Sequence, residues 1–369
     1  MKKIIYFFGI LFLAIVVILN ILFTADLDAD EHITISFNSI AYVIGLILCG
    51  TLICFLTRII NKHLCNDEKS KAKKNIRRAL FIIAITLYVL FSIAWIIVRM
   101  PAVVGDQIHA CNLAQTFFRG NTEEFLPNMT YAGIPLIEYM QAYHQQISLA
   151  FVFSMFFRII NLDFIESLRV LNVICICLTV LALYKINKQL AREHKTNKVL
   201  LFTLILTFVS LPMLSTFVYG DIPSIALCLF AVYFMMRYTE TRKIRYPIFA
   251  SILTMIAYMM RMNSLIFIIA TVIYLLIGLF KEINKKSWKE RLVNILIIIM
   301  YIILSIVPAS LVKNYYLDKY NLDKSKEYPN ISYFLMAMEE GPRGNGWYNE
   351  EIRRTSIKKS RTNEDRVYR

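Results

Sequence analysis

The chain has 369 residues, of which 57% are hydrophobic, and its formal net charge is +15. A soluble domain of this composition could not cover its surface with polar groups, so the composition predicts a polytopic membrane protein. The charge does not indicate nucleic-acid binding, because lysine and arginine cluster between apolar runs, as in loops that set membrane topology. The seven cysteines lie mostly inside apolar runs, which predicts buried thiols rather than a metal or redox pair.

Nine apolar segments have about the length that a helix needs to cross a bilayer. The first follows a basic N-terminus and lacks a small-residue cleavage site, which predicts an uncleaved span rather than a signal peptide. The predicted spans are 4–24, 37–57, 79–98, 166–186, 199–218, 222–237, 247–260, 264–280 and 292–312.

The charges of the loops predict the topology, since basic loops remain cytoplasmic. Loop 58–78 carries eight lysines and arginines, whereas loop 25–36 carries none. A tenth apolar stretch, 147–160, is short. Every basic loop falls on the cytoplasmic side only if this stretch is re-entrant or lies at the outer interface. We therefore predict nine spans, a cytoplasmic N-terminus and a multi-pass protein of the cell membrane.

This topology describes an all-α membrane protein in three parts. Two spans and a basic cytoplasmic loop occupy 1–78, and a transmembrane core occupies 79–312, with a first outer loop at 99–146. A polar tail, 313–369, is predicted to lie outside the cell, because long hydrophilic segments translocate largely regardless of charge.

Four polar clusters then lie on the outer face, at the ends of spans. Charged groups that converge on one face of a membrane protein indicate a functional site. The clusters are Gly105-Asp106-Gln107, Tyr219-Gly220-Asp221, Arg261-Met262-Asn263 and the tail segment 341–349.

Two aspartates in these clusters each precede a helical pattern. Apolar spacing predicts an amphipathic helix over 106–119, lying along the outer interface. Asp106 and Asp221 are therefore good candidates for N-caps, which accept hydrogen bonds from free backbone N–H groups. Two carboxylates on one face equally suit a general base and a partner that orients it or holds a metal. The sequence leaves both interpretations open.

The remaining polar residues also permit two interpretations each. Arg261 lies at a tight turn between two spans, where its guanidinium suits either a phosphate or the headgroup region. Tyr143 and His144 suit sugar contacts or an interfacial belt. Arg343 and Trp347 lie in a glycine-rich segment that suits close approach to a ligand.

The order of these features resembles the GT-C membrane glycosyltransferases. An acid just after a span, an interfacial helix and R-x-L-N at the start of the next span are similar to the protein-mannosyltransferase and aminoarabinose-transferase branch (glycosyltransferase family 39-like) of bacteria. The segments "YGDIPS", "AYMMRMNSLI" and "YFLMAMEEGPRGNGWYN" extend the resemblance. Together they cover about residues 79–349.

The resemblance implies inverting transfer of a sugar from a polyprenyl-phosphate carrier to an envelope glycan, lipid or protein. Asp106 would be the base, and Asp221 would orient the acceptor or the base. Arg261 or Arg343 would stabilise the departing phosphate. The expected substrate contacts are Gln107, Tyr143, His144, Asn263 and Trp347. No cofactor is certain, and a divalent metal remains open.

Two departures from the family leave alternatives open. Gln107 stands where relatives often have a glutamate, which removes one metal ligand or second acid. The family usually continues with further spans after the tail segment, so we expect a short member, a truncated inactive transferase or one piece of a split enzyme. The other candidates are a lipid-linked glycan transporter, a scaffold for envelope assembly, and a polysaccharide polymerase or ligase. Charges that gather at span ends rather than within spans favour the transferase.

Overall fold

The computed structural model divides into two compact units, which are described separately. Almost all of the described residues are helical. The described residues are 2–27, 33–60, 71–99, 103, 105–120, 130–131, 134–160, 163–193, 208, 210–281 and 288–323.

The first unit contains two apolar helices connected by a β-hairpin. Helix α1 (Lys2–Leu22) leads into β1 (Phe23–Leu27), which pairs antiparallel with β2 (Ile33–Phe37), and α2 (Ile40–Ile60) follows. Both helices are runs of apolar residues, which suits a lipid environment, where a helix satisfies its own backbone polar groups.

The second unit consists of helices and one short antiparallel pair of strands. Two 3-10 turns precede its later helices, at Leu214–Thr216 and Met262–Ser264. Its elements are α3 (Lys71–Arg99), α4 (Asp106–Arg119), β3 (Thr130–Tyr131), β4 (Ile134–Pro135), α5 (Leu136–Ala142), α6 (Gln145–Phe157), α7 (Phe164–Glu193), α8 (Ser210–Met213), α9 (Asp221–Thr241), α10 (Arg245–Met260), α11 (Leu265–Lys281) and α12 (Trp288–Lys319).

Packing within the second unit brings distant parts of the sequence together. Helix α9 packs on α7 and α10, and α10 packs on α12. Helix α4 packs on α6, and the core between them includes the buried side chains of Leu113, Leu149 and Phe153. The starts of α4 and α9 thereby come close to each other, as the contacts of Asp106 show below.

The structure confirms an all-α polytopic membrane protein. Among the described residues, six helices are long and apolar enough to span a bilayer, and three shorter apolar helices accompany them. The spans predicted at 4–24 and 247–260 correspond to two of the shorter helices. Of the span predicted at 199–218, most residues lie outside the described part, and the rest form α8 and a 3-10 turn.

The tenth apolar stretch forms a short, well-buried helix. Helix α6 has 13 residues, which corresponds to about 20 Å and is less than the ~30 Å of a bilayer core. It packs on α4, α10 and α12, and its Ile147, Leu149 and Ala150 are buried. That 147–160 is re-entrant or lies at the outer interface stays a prediction.

Candidate active site

The two aspartates begin their helices in the same way. Gly105, with φ of 59°, is the N-cap of α4, and Gly220, with φ of 84°, is the N-cap of α9. Only glycine adopts such backbone angles readily, and it turns the chain so that the next residue starts the helix. Asp106 and Asp221 are therefore first-turn residues rather than the caps themselves, and their carboxylates are engaged by side chains from other elements.

Asp106 is exposed and is held by a tyrosine from far along the chain. The Tyr219 hydroxyl donates to Oδ2 of Asp106 at 3.1 Å. Nε2 of Gln146 in turn donates to the Tyr219 hydroxyl, so the tyrosine proton is directed to the aspartate. The Tyr139 hydroxyl also lies close to this carboxylate. Because the Asp106 side chain is exposed, a ligand can still reach it.

Tyr219 also contacts Arg261 through its ring. The Cζ atom of Arg261 lies 4.4 Å from the ring centroid, at cation–π distance. Nε of Arg261 donates to Oδ1 of Asp221 at 2.9 Å. The other carboxylate oxygen of Asp221, Oδ2, is buried and has no partner in the described part of the chain. Asp221 therefore holds the arginine side chain in place.

These contacts join three of the predicted site residues into one group. Asp106, Tyr219, Arg261 and Asp221 form a continuous series of contacts, in which a carboxylate and a guanidinium flank one tyrosine. Burial and the negative charge of Asp106 raise the pKa of Tyr219, although the Arg261 charge opposes this. The hydroxyl therefore remains protonated and continues to donate to Asp106.

Three aromatic rings contact one another close to Asp106. The His109 ring stacks on Tyr139 with centroids 4.2 Å apart, and Tyr139 lies 4.8 Å from Tyr143. Burial lowers the pKa of His109, with Asp106 acting in the opposite direction. Burial raises the pKa of the Tyr139 hydroxyl, and so do the neighbouring Tyr219 hydroxyl and Asp106 carboxylate.

The other predicted substrate contacts differ in their surroundings and in their exposure. Oε1 of Gln107 accepts from the backbone N–H of Val218 at 3.0 Å, so this side chain anchors the segment that carries Tyr219. His144 is buried and Asn263 is exposed beside Arg261. Arg343 and Trp347, together with the rest of the glycine-rich segment, lie outside the described residues.

The R-x-L-N segment of α7, residues 169–172, contacts the part of the chain that leads to Tyr219. Nδ2 of Asn172 donates to the backbone oxygens of Ser215 and Phe217 at 3.1 and 2.9 Å. Arg169 is paired with Glu166 at 2.6 Å. Asn172 and Gln107 therefore fix residues 215–218 from two sides, and this positions Tyr219.

Sequence reasoning missed three residues of the site. In the sequence Tyr219 stands out only as part of a polar cluster, and no pattern distinguishes Gln146 or His109. A glutamine and a histidine that are largely buried indicate specific partners. The sequence does not report burial of this kind, so it offered no signal for them.

Gly220 provides a test of how closely this site is packed. A Cβ atom there would lie 2.8 Å from Cδ1 of Leu149 and 3.3 Å from the Met260 oxygen. We expect Gly220→Ala to destabilise the protein by about 1–3 kcal/mol beyond its backbone strain, measured by thermal unfolding in detergent. Gly120→Ala is the matched control, because Gly120 has a similar φ and open space around it. Equal losses in the two variants would contradict the close packing.

No candidate metal site is found in the part of the chain that the structure describes. It contains no group of three or more histidine, cysteine, aspartate and glutamate side chains that could hold a metal ion. Asp221 is already paired with Arg261, which leaves Asp106 as the available carboxylate of the site.

Part of the second unit matches a known protein family. The family model of dolichyl-phosphate-mannose-protein mannosyltransferase matches residues 145–307. The match includes Gln146, Tyr219, Asp221 and Arg261, and it begins after Asp106. It confirms the resemblance to a family 39-like membrane glycosyltransferase. No curated protein and no solved structure is similar enough to the chain to count as a match.

Proposed function

We propose that the protein is a GT-C membrane glycosyltransferase of the mannosyltransferase type, which moves a sugar from a polyprenyl-phosphate carrier to an acceptor on the outer face of the membrane. The acceptor is a glycan, lipid or protein of the cell envelope. The observation that carries the proposal is that Asp106 accepts from the Tyr219 hydroxyl while the Arg261 guanidinium lies over the ring of the same tyrosine. A base and a cation that contact the same tyrosine can act on the attacking oxygen and on the departing phosphate of one displacement reaction.

Asp106 is suited to the role of general base. It is exposed at the start of α4, and the Tyr219 hydroxyl fixes its Oδ2 atom. In the reaction Asp106 takes the proton of the acceptor hydroxyl as that oxygen attacks the anomeric carbon of the sugar.

Arg261 is suited to the departing phosphate. Its Nε atom is occupied by Asp221, and its two terminal amino groups have no acceptor among the described residues. A guanidinium that presents two parallel N–H groups binds phosphate oxygens in fork geometry. As the bond between the anomeric carbon and the phosphate oxygen breaks, the electron pair leaves with the lipid phosphate, and Arg261 stabilises the added charge.

We assign the attacking acceptor oxygen to Asp106 and the departing phosphate to Arg261, so that one bond forms as the other breaks and the anomeric carbon is inverted. A single displacement of this kind needs no covalent intermediate with the protein. Asp221 acts through Arg261, and we assign it a positioning role.

The test is a deletion strain complemented with the wild-type gene. We expect deletion to remove a sugar from an envelope glycan, lipid or protein and to raise the level of its polyprenyl-phosphate donor; complementation should reverse both changes. The anomeric configuration of the product, determined by NMR, should be opposite to that of the donor. Unchanged envelope sugars on deletion would refute the proposal. Build-up of donor on the inner leaflet alone would indicate a transporter instead.

A further inference from the structure

Tyr139 brings a second buried hydroxyl group to the candidate active site. This residue lies in α5 and is 2% exposed, and its hydroxyl oxygen is buried as well. Two polar groups lie close to that oxygen, the Tyr219 hydroxyl and the Asp106 carboxylate. Buried hydroxyl groups in folded proteins are almost always hydrogen-bonded, so we expect one of these two groups to be its partner.

Ring stacking holds Tyr139 beside the start of α4. His109 lies one helical turn after Asp106, on the same face of this helix. Its ring stacks on Tyr139 with centroids 4.2 Å apart and an angle of 17° between the planes. The Tyr143 ring lies 4.8 Å from the Tyr139 ring. These contacts keep the Tyr139 ring against the part of α4 that carries Asp106.

The hydrogen bonds of Tyr219 indicate where the Tyr139 proton points. The Tyr219 oxygen already accepts from Nε2 of Gln146, and its own proton is directed to Oδ2 of Asp106 at 3.1 Å. A hydrogen bond to an ionised carboxylate is about twice as strong as one between neutral groups. The Asp106 carboxylate is therefore the stronger acceptor for Tyr139. Burial and the nearby Tyr219 and Asp106 raise the pKa of Tyr139, so this hydroxyl stays protonated and can donate.

We propose that Tyr139 is a positioning residue that donates to the carboxylate of Asp106, so that two tyrosine hydroxyls from different elements hold the base. The proposal rests on the role of Asp106 in the proposed function. Hydrogen bonds to an ionised carboxylate favour it over the protonated form, and only the ionised form can take the proton of the acceptor hydroxyl. Tyr139 thereby sets the pH below which sugar transfer declines.

Other titratable and charged groups lie near Asp106 in the described part of the chain. His109 faces it from the same helix, and burial lowers the pKa of this histidine while the Asp106 charge acts in the opposite direction. Arg261 lies over the ring of Tyr219 and is paired with Asp221. Because a histidine also titrates at mildly acidic pH, the acidic limb of the rate must be assigned to one of the two side chains.

The experiment measures the pH dependence of sugar transfer by the intact, detergent-purified Tyr139→Phe variant, which keeps the stacked ring and removes only the hydroxyl. We expect the acidic limb of kcat to move to higher pH by about one pH unit, because the carboxylate loses one donor. The donor KM should stay the same. Tyr301→Phe is the matched control, since Tyr301 is also fully buried and its hydroxyl lies 3.1 Å from that of Thr254. This variant should leave the limb in place.

Infrared spectroscopy follows Asp106 without any assay of sugar transfer. The carboxyl band of the protonated aspartate is the one that Asp106→Asn removes, and its titration midpoint should rise in Tyr139→Phe by the same amount as the acidic limb. An unmoved midpoint would overturn the proposal. A midpoint that rises while the limb stays in place would support the hydrogen bond and refute Asp106 as the base, so the two failures are distinguishable.

Two further variants separate Tyr139 from its neighbours. In the Tyr219→Phe background, Tyr139→Phe should raise the midpoint further; no effect there would show that Tyr139 donates to Tyr219 instead and would overturn the proposal. His109→Phe keeps a ring against Tyr139 and removes the titrating imidazole, and the acidic limb should persist in it. Loss of the limb in this variant would assign it to His109 and would also overturn the proposal.

Discussion

Replacing Asp106 with asparagine is expected to lower sugar transfer by about 10²–10⁴-fold, the usual contribution of a well-placed general base. Asparagine keeps the shape of the side chain and can still accept from Tyr219, so the fold should be unchanged. The loss should fall on kcat rather than on donor KM, because the base acts on the acceptor proton. The measurement is transfer from a polyprenyl-phosphate sugar by the purified protein.

Asp163 offers a matched control for this variant. It also lies at the start of a helix, and its Oδ2 atom accepts from the backbone N–H of Ile165 at 3.1 Å, as a capping residue does. Asp163→Asn should retain activity, since asparagine caps about as well as aspartate. Full activity of Asp106→Asn would show that Asp106 has only a structural role, and it would refute the assignment of Asp106 as the general base.

Replacing Arg261 with glutamine is the second large expected effect, with a loss of about 10²–10³-fold in kcat. The reason is the charge that develops on the departing phosphate, which glutamine cannot neutralise. Arg261→Lys should recover only part of the activity, because an ammonium lacks the planar fork of the guanidinium. Steady-state kinetics with varied donor concentration separate lost binding from lost turnover.

Arg261 also balances the charge of Asp221, which has one buried oxygen. Removing the arginine alone leaves that carboxylate unpaired, and this can destabilise the fold. The double variant Arg261→Gln with Asp221→Asn removes both charges and should recover stability without recovering activity. Recovery of activity in the double variant would show that Arg261 serves only to pair Asp221. Arg237→Gln, which affects a cation at the far end of α9, should remain active.

The two interpretations of Asp106, as a helix cap or as a site residue, show what the sequence alone could determine. Helix 106–119 was predicted with the bounds that the structure has, because its apolar spacing is a local property. The choice between cap and site could not be made locally. It depends on Tyr219, which is 113 residues away from Asp106, and on glycines that take the capping positions themselves.

The contacts of Gln107 and His109 also could not be predicted from the sequence alone. Both stand on a helix whose pattern places polar groups toward water or a ligand. In the folded protein Gln107 binds the backbone of Val218, and His109 stacks on Tyr139. Each partner belongs to a different element, and the two sets of contacts form only when α4 packs on α6 and residues 217–221 pass beside them.

The amino-acid sequence thus established the membrane class, most of the spans and the charged residues at their ends. Hydrophobic length and loop charge act locally, since lipid replaces water around each helix separately. Tertiary structure decided which of those ends meet, and it made Tyr219 the residue between Asp106 and Arg261. That outcome depends on contacts between residues that are 73, 111 and 113 positions apart in the chain, and only the packing of helices determines such contacts.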